Sequence, residues 1–144
     1  MQEELKVTAN LIDEKVKFSG SSKSNPGKEI IFDYRSPIGT GQGYTGLEVL
    51  LLSFAGCSGT AVAFLLRKMG KTISGLKVNA KGIRKDVPPF SFDTIFLEFI
   101  LISHDTGDSN IQKAIQLSEE SVCPVWAMLK NNVEVKTVYK ILTS

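Results

Sequence analysis

Two cysteines, Cys57 and Cys123, carry the most reactive side chains of this 144-residue chain. A pair of thiols can cycle to a disulfide through a sulfenic acid on the thiol that is oxidised first. The N-terminal residues lack the basic and then apolar layout of a secretory signal. We therefore expect a cytoplasmic, reducing compartment, where a cysteine pair is more often redox-active than structural. Free cysteines also occur as small buried residues without reactivity, and this alternative stays open beside the prediction of two-cysteine redox chemistry.

The surroundings of the two cysteines differ. Cys57 lies among small residues (AGCSGT) in the middle of a predicted helix, which leaves its sulfur approachable. At about 100° per residue, Leu50 and Phe54 share its face of the helix. Cys123 precedes Pro124 and so lies at or near a helix start, where backbone N–H groups favour the thiolate. We therefore expect one thiol to attack from a walled pocket and the other to react from a helix start.

A long apolar helix is predicted to carry Cys57. Residues 47–66 contain a single charge, Glu48, and are long enough to cross a membrane. Small and polar residues dilute the middle of this segment, and the flanking strands are typical of a soluble sheet, so we predict a buried helix and no membrane partner. A chain of 144 residues is too short to wrap such a helix alone, and we therefore predict a homodimer that covers it.

Capping residues mark the two ends of that helix. Thr45 and Glu48 have the spacing of a capping box, in which each side chain satisfies a backbone N–H of the first turn. Gly70 is a suitable end, and the basic residues Arg67 and Lys68 before it suit the negative end of the helix dipole. The helix is therefore predicted to begin at Thr45 and to end near Gly70.

The N-terminal third is predicted to form strands. Residues 5–11 and 16–18 alternate apolar and polar side chains, which is the period of a half-buried strand. Residues 19–28 are predicted to be a polar loop, and an apolar strand follows at 30–34. Residues 36–43 contain too many glycines, and a proline, for regular structure. This connection lacks the ending of a phosphate-binding loop, so it does not indicate a nucleotide site.

Two long strands follow the central helix, at about 73–85 and 93–104. The second is apolar on both faces, so we place it centrally in a sheet that is covered on both sides. Asp108 or Ser109 is expected to cap the next helix. The last two elements are a short helix that opens at Pro124 and a final strand at 133–142. Together these elements predict one α+β domain over residues 1–144.

Composition excludes several other classes of function. The formal charge of +2 is small and no basic cluster carries interleaved aromatics, so we expect no nucleic-acid partner. Two cysteines and one histidine are too few soft ligands for a zinc site within one chain, and we expect no metal or cofactor. A Cys–His hydrolase would need His104 beside Cys57, whereas a lone histidine at a strand end is expected to be exposed.

Two motifs around the cysteines resemble a known family. The run GLEVLLLSFAGCSG contains Cys57, and CPVWA begins at Cys123. Together they resemble the family of osmotically inducible protein C (OsmC) and organic hydroperoxide resistance (Ohr) proteins, and the order of predicted elements agrees with it. The resemblance covers nearly the whole chain and is strongest over residues 44–70 and 119–130. It implies an OsmC-like fold and an intertwined homodimer with the cysteine helices at its centre.

The resemblance also implies an activity. In the peroxidase members, the first cysteine attacks an organic hydroperoxide as a thiolate and becomes a sulfenic acid. The second cysteine then forms a disulfide, which a dithiol reductant reopens. By this resemblance Cys57 is the peroxidatic candidate and Cys123 the resolving one. An apolar pocket would favour alkyl or lipid hydroperoxides over hydrogen peroxide, and the candidates for its wall are Leu50, Phe54, Phe90 and Trp126.

The chain departs from the peroxidase branch at two further positions. That branch uses an arginine to hold the thiolate and a glutamate, ten residues before the first cysteine, to orient the arginine. Here Leu47 holds that position, and Glu48 is nine residues before Cys57 and can serve the capping box instead. Arg35 is the candidate arginine, or a solvated strand-end charge. The alternative to a peroxidase is a non-catalytic OsmC-like module that binds a small apolar ligand.

Overall fold

The computed structural model describes residues 3–143 as two compact units, one that ends at Leu50 and one that begins at Leu51. The long helix α1, Gly46–Lys68, crosses this division. Each unit contains a three-stranded sheet, and the helices lie at and after the division. This content confirms the predicted α+β class, while a single folding domain over residues 1–144 stays a prediction.

The N-terminal unit contains an antiparallel sheet in the order β1-β2-β3. Its strands are β1 (Val7–Leu11), β2 (Phe18–Ser22) and β3 (Ile30–Phe32). The side chain of Asp13 forms the turn between the first two, because its Oδ1 accepts the backbone N–H groups of Lys15 and Lys17 at 2.9 and 3.0 Å. The predicted loop at 19–28 is wrong in its first part, since residues 19–22 pair with β1 through their backbone. Small polar side chains allow this pairing on an exposed sheet.

Strand β1 corrects a second expectation. Its sequence alternates as a half-buried strand does, yet all five of its residues are exposed. Val7 has an exposed fraction of 80% and the preceding Leu5 of 83%. Alternation therefore predicted the strand but not its burial, because no part of the described chain covers the apolar face of β1.

Asp33 organises the glycine-rich connection that follows β3. Its buried carboxylate accepts the hydroxyl of Thr40 at 2.7 Å and the backbone N–H groups of Tyr34 and Gln42 at 2.8 and 3.0 Å. The Thr40 hydroxyl and the Gln42 N–H hold the pKa of Asp33 well below its usual range. A Cβ at Gly43 would lie 2.6 Å from the Ile31 carbonyl oxygen, so this loop needs glycine there.

Helix α1 has the two ends that the sequence predicts. The Thr45 N–H donates to Glu48 at 2.9 Å, and the Glu48 N–H donates to the Thr45 hydroxyl at 3.2 Å, which confirms the capping box. At the other end Gly70 has a φ of +81°, and the Lys71 N–H donates to the Leu66 carbonyl at 3.0 Å. This geometry ends the helix with a left-handed glycine, as the sequence predicts.

One face of α1 is buried and the other is not. Among residues 3–143 it is the one helix long and apolar enough to cross a membrane, and only 33% of its most apolar window is buried. Leu52 and Phe64 have exposed fractions of 54% and 58%. The expectation of a buried helix is therefore met on one face within the chain, and the predicted homodimer stays a prediction for the other.

The C-terminal unit contains a mixed sheet with β5 at its centre, as predicted. Its strands are β4 (Gly75–Arg84), β5 (Phe92–Ile102) and β6 (Glu134–Leu142), and β5 pairs antiparallel with β4 and parallel with β6. One face of β5 is fully buried, but the other is half-exposed, so the expectation of two covered faces is wrong. On the open face the lysine side chains of Lys81 and Lys136 lie over the Phe96 ring and shield it.

The connection between β5 and β6 carries Cys123. It contains α2 (Asp108–Leu117), a π-helical turn (Ser118–Val122) and α3 (Pro124–Leu129). The residue that caps α2 is Gly107 rather than the predicted Asp108 or Ser109, and its N–H donates to the Asn110 side chain at 3.0 Å. Pro124 opens α3 as predicted, because the missing N–H of proline is not needed in a first turn.

Candidate active site formed by two thiols

The two cysteines belong to the C-terminal unit and reach one site from two helices. Cys57 projects from the middle of α1 and is half-buried. Cys123 is the N-cap residue of α3, has an extended backbone and an exposed fraction of 2%. The π-helical turn before it is held by the Cys123 N–H, which donates to the Ser118 carbonyl at 2.9 Å.

The thiols of Cys57 and Cys123 are near neighbours, because the Cys123 thiol acts on the pKa of Cys57. Both cysteines are free thiols. Sequence spacing alone could not show this proximity, because it depends on how the connection between β5 and β6 returns to α1. A disulfide needs the two sulfur atoms about 2.05 Å apart, so the two free thiols must approach each other to form one.

Three further groups act on the two sulfur atoms. The backbone N–H of Val125 favours the Cys57 thiolate and lowers the pKa of that thiol. The backbone N–H of Trp126 donates to Cys123 Sγ at 3.4 Å, and Ser58 Oγ lies 3.5 Å from the same sulfur. Cys123 Sγ therefore has two hydrogen-bond partners, one of which is a backbone donor.

Burial raises the pKa of the Cys57 thiol, and the neighbouring Cys123 thiol raises it further. The Val125 N–H acts in the opposite direction and lowers the pKa. No cation of residues 51–143 contributes to the shift. His104 is exposed after β5, so the described chain does not form a Cys–His pair. The raised pKa favours the neutral form of the Cys57 thiol.

Two aromatic side chains, one near each cysteine in the sequence, contact each other in the structure. Phe54 precedes Cys57 by one helical turn, and Trp126 follows Cys123 by one turn. Their rings are fully or almost fully buried and meet edge to face, with centroids 5.5 Å apart and an interplanar angle of 80°. The structure thus brings together two of the four predicted wall residues. Their role towards a substrate stays a prediction.

The other two predicted wall residues have different surroundings. Leu50 is the last residue of the N-terminal unit and has an exposed fraction of 37%. Phe90 lies in the turn between β4 and β5 with a φ of +61° and an exposed fraction of 43%. Its carbonyl accepts the Arg84 side chain at 2.7 Å, and the Arg84 guanidinium lies 5.7 Å from its ring centroid. These contacts hold Phe90 on its own hairpin.

Arg35 and Glu48 belong to the N-terminal unit, whereas the thiols belong to the C-terminal unit. Arg35 is exposed, with its guanidinium 5.6 Å from the centroid of the Tyr34 ring. Glu48 makes the capping box with Thr45 and also lines a cavity of about 540 Å³ beside Tyr44. The action of Arg35 and Glu48 at the thiols therefore stays a prediction.

Sequence patterns missed three contributors to the site. The N–H groups of Val125 and Trp126 belong to the backbone, so no side-chain pattern identifies them. Ser58 was identifiable as a small polar residue in an apolar helix, beside a cysteine, but its complete burial was not. Ser118 is also fully buried, and among residues 3–143 its hydroxyl has no hydrogen-bond partner.

An apolar groove lies beside this site in the C-terminal unit. It has a volume of about 470 Å³ between α1 and β4, and its lining includes Leu52, Gly56 and Val78. A Cβ at Gly59 would lie 3.1 Å from the Val78 side chain, so glycine keeps α1 and β4 close. No group of three or more His, Cys, Asp or Glu side chains in residues 3–143 could hold a metal ion.

Comparison with known proteins identifies relatives over almost the full length of the chain. Residues 39–138 match the sequence model of the family described as OsmC-like protein. Protein YhfA of Escherichia coli (strain K12) is 28% identical over 127 residues, which cover 88% of this chain and 91% of YhfA.

Solved structures share the fold. The OsmC-like protein from Mycoplasma pneumoniae superposes with a TM-score of 0.83 at 22% identity, over 99% of each chain. The organic hydroperoxide resistance protein OhrB of Bacillus subtilis superposes with a TM-score of 0.65 at 18% identity, over 96% of this chain and 98% of that chain. At these identities the likeness shows the fold alone, and it confirms the fold that the two cysteine motifs predict.

Proposed function

Because the chain belongs to the OsmC-like protein family, we propose that it is a thiol-dependent peroxidase that reduces organic hydroperoxides. The observation that carries the proposal is the proximity of the Cys57 and Cys123 thiols, through which Cys123 acts on the pKa of Cys57. Some proteins of this fold, OhrB among them, are named organic hydroperoxide resistance proteins. Family membership supports the fold, and the proximity of the two thiols supports the proposed two-cysteine chemistry.

The proposed reaction has two steps that balance in atoms and electrons. In the first, the Cys57 thiolate attacks the outer oxygen of the hydroperoxide, the O–O bond breaks, and the alcohol leaves with a proton from solvent. In the second, Cys123 attacks the Cys57 sulfenic acid, the S–S bond forms, and the S–O bond breaks to release water. The hydroperoxide gains two electrons, which the two thiols lose. A dithiol reductant then reopens the disulfide.

The first step needs the Cys57 thiolate, which burial disfavours. The Val125 N–H lowers the pKa of Cys57, and we assign a further positive charge at the thiol to the Arg35 guanidinium, oriented by Glu48. A guanidinium beside a thiol lowers its pKa by Coulomb attraction. Arg35→Ala should therefore raise the pKa of Cys57, as measured from the pH dependence of its alkylation rate. Arg67→Ala, an exposed arginine at the end of α1, is the control.

An unchanged alkylation profile in the Arg35→Ala variant would remove Arg35 from the mechanism. It would leave the two-cysteine cycle intact, because the proximity of the thiols does not depend on Arg35. A shift in the Arg67→Ala control as large as that in Arg35→Ala would show a general charge effect instead.

Apolar side chains support an organic rather than an inorganic substrate. Phe54 and Trp126 offer buried rings one turn from each cysteine, and Leu50 and Phe90 are exposed candidates that a second chain or a bound substrate could cover. Such a wall gains free energy from an alkyl group and none from hydrogen peroxide. We therefore propose alkyl or lipid hydroperoxides as the substrate class.

A homodimer in the cytoplasm completes the proposal. The exposed apolar side chains of α1, the groove beside it and the exposed strand β1 support a second copy of the chain as their cover. Light scattering after size-exclusion chromatography should give twice the mass of the chain. A well-folded monomer would contradict the homodimer.

The raised pKa of Cys57 favours one other candidate function. A neutral thiol pair among aromatic rings can pack a cavity for a small apolar ligand without reacting. This second candidate is a non-catalytic OsmC-like binding module. It predicts slow oxidation by any hydroperoxide and no dependence on which cysteine is present.

Stopped-flow oxidation by cumene hydroperoxide separates the two candidates. The wild type should lose both thiols rapidly and stoichiometrically, and Cys57→Ser should abolish the fast phase. Cys123→Ser should keep the fast phase and accumulate a sulfenic acid that dimedone traps at Cys57. Hydrogen peroxide serves as the substrate control and should react more slowly. Equal, slow oxidation of all three proteins would contradict the peroxidase and support the binding module.

A further inference from the structure

The environment of Ser58 is unusual for a helical serine. It lies in the middle of α1, directly after Cys57, and is fully buried. A serine in such a position usually bonds back to the carbonyl one turn earlier, as Thr60 does to Gly56 at 2.8 Å. The Ser58 hydroxyl is instead 3.5 Å from Cys123 Sγ. A buried hydroxyl is costly unless it is bonded, so this contact accounts for its polar atom.

The direction of this hydrogen bond depends on the state of Cys123. Either group can donate while Cys123 is a thiol, because hydroxyl and thiol are each donor and acceptor. Once Cys123 loses its proton the sulfur can only accept, so the Ser58 hydroxyl must donate. The Trp126 N–H already donates to the same sulfur at 3.4 Å. Hydrogen bonds to a charged acceptor are stronger than those to a neutral one, so both donors favour the thiolate.

We propose that Ser58 is a positioning residue of the resolving step, whose hydroxyl donates to the Cys123 sulfur and favours the thiolate that attacks the Cys57 sulfenic acid. The proposal rests on the peroxidase cycle proposed above. In this step the Cys123 thiolate forms the S–S bond as the Cys57 S–O bond breaks. The leaving hydroxide takes a proton from solvent, and Ser58 keeps its own proton throughout.

Few other charged groups can affect the ionisation of Cys123. The titratable group that neighbours it is Cys57 from α1. Glu119 and Glu120 of the π-helical turn are exposed, as is Lys130 after α3. Exposed charges are screened by solvent and salt, so the Cys57 thiol is the neighbour that must be removed before Ser58 can be tested.

The test therefore uses the Cys57→Ser background, in which Cys123 is the single thiol. Absorbance at about 240 nm reports the thiolate even when the sulfur is buried, and its pH midpoint is the pKa of Cys123. Adding Ser58→Ala should raise this midpoint by about one pH unit, because a donor to the charged form is lost. Adding Ser58→Thr should preserve it, because the hydroxyl remains. Ser53→Ala, an exposed serine of the same helix, is the matched control and should not move it.

If the pH midpoint of Cys123 ionisation in the Cys57→Ser protein were the same with and without Ser58→Ala, the proposal would be overturned. If the added methyl of threonine prevents folding, the alanine comparison alone decides. This titration needs no hydroperoxide, so it can succeed even where the peroxidase itself fails.

A kinetic measurement then tests whether Ser58 acts in the resolving step of the proposed cycle. After oxidation of Cys57, mass spectrometry of quenched samples follows conversion of sulfenic acid to disulfide. With Ser58→Ala this conversion should be about tenfold slower near neutral pH, and the deficit should vanish at alkaline pH, where Cys123 is ionised without help. A deficit that is the same at every pH would indicate a packing defect and overturn the assigned role.

Discussion

Two acidic groups in this molecule, Asp33 and Cys57, have pKa shifts in opposite directions. In the N-terminal unit, the Asp33 carboxylate is enclosed by N–H and O–H donors from its own loop, and its pKa is held well below the usual range. In the C-terminal unit, the half-buried Cys57 thiol has a second thiol as its neighbour, and burial together with that thiol raises its pKa. The first site is charged at neutral pH and the second is not.

The difference shows what sets the charge of a buried acid. Burial disfavours the ion at both sites, and hydrogen bonds to the ion can outweigh it. Asp33 accepts hydrogen bonds from several donors, whereas among the groups that act on Cys57 the Val125 N–H is the one that lowers its pKa. The balance therefore favours the ion at Asp33 and the neutral thiol at Cys57. A structural acid such as Asp33 can be ionised by hydrogen bonds from its own loop, whereas the proposed reactive thiol depends on a further group for its ionisation.

The largest expected effect is a loss of stability when the buried ring of Phe54 is removed. Phe54→Ala removes a fully buried ring that meets Trp126 edge to face. We expect the free energy of unfolding to fall by about 3–5 kcal/mol, from lost burial and the cavity left behind. Urea denaturation measures it. Phe54→Leu, which keeps most of the volume, should cost less than about 1.5 kcal/mol. Similar losses in both variants would show that shape, rather than burial, holds this region.

The next largest effect is a loss of stability when the hydrogen bonds to the Asp33 carboxylate are weakened. Asp33→Asn replaces an ionised acceptor by a neutral group with only one oxygen, and the melting temperature should fall by about 5 °C or more. Asp13→Asn is the matched control, because Asp13 accepts only the N–H groups of Lys15 and Lys17. A fall as large in the control would contradict the special role of the Asp33 loop.

The contributions of Asp33 and Cys57 to stability should depend on pH in opposite ways. Because the pKa of Asp33 is lowered in the folded state, its stabilisation is present above its unfolded pKa of about 3.9 and is lost as the pH falls below it. Because the pKa of Cys57 is raised, its contribution is present below its unfolded pKa of about 8.5 and is lost as the pH rises through the folded value.

Thermal unfolding under reducing conditions measures both branches. The acid branch should flatten in Asp33→Asn, and the alkaline branch should flatten in Cys57→Ser. An alkaline branch that Cys57→Ser leaves unchanged would contradict a raised pKa for this thiol.

The smallest expected effect concerns two buried serines of the C-terminal unit. The Ser58 hydroxyl lies against a sulfur, whereas among residues 3–143 the Ser118 hydroxyl has no partner. Ser118→Ala should be neutral or should stabilise by up to about 1 kcal/mol, because it removes a buried group that makes no hydrogen bond. Ser58→Ala should destabilise by a similar amount. Chemical denaturation at pH 7 compares them, and a loss in both would show that Ser118 has a partner in solution.

Much of the fold could be predicted because its signals are local. The capping box at Thr45, the left-handed Gly70 and the proline that opens α3 depend on residues within one turn, and all three are as predicted. Burial was predicted less well. The alternation in β1 and the apolar faces of β5 indicate strands, but whether a face is covered depends on distant elements.

The site was predictable in its residues but not in its contacts. The motifs around Cys57 and Cys123 identify the thiols by type and order. Their proximity, and the N–H groups of Val125 and Trp126, arise from the path of the backbone after β5, which no local pattern encodes. The hydrogen bonds of the Asp33 carboxylate were not predicted, because its partners are mainly backbone N–H groups of an irregular loop, which have no sequence signature.

The parallel pairing of β5 with β6 has a consequence for the order of events during synthesis. Thr94 pairs with Glu134 and Ile102 with Leu142, so this ladder closes across forty residues and cannot begin until β6 has been made. Contacts so distant along the chain form slowly. The segment that carries Cys123 lies between these two strands, so it is fixed against the sheet only after the ladder closes. Cys57 is synthesised 66 residues earlier, and its sulfur is therefore made well before the second thiol is in place.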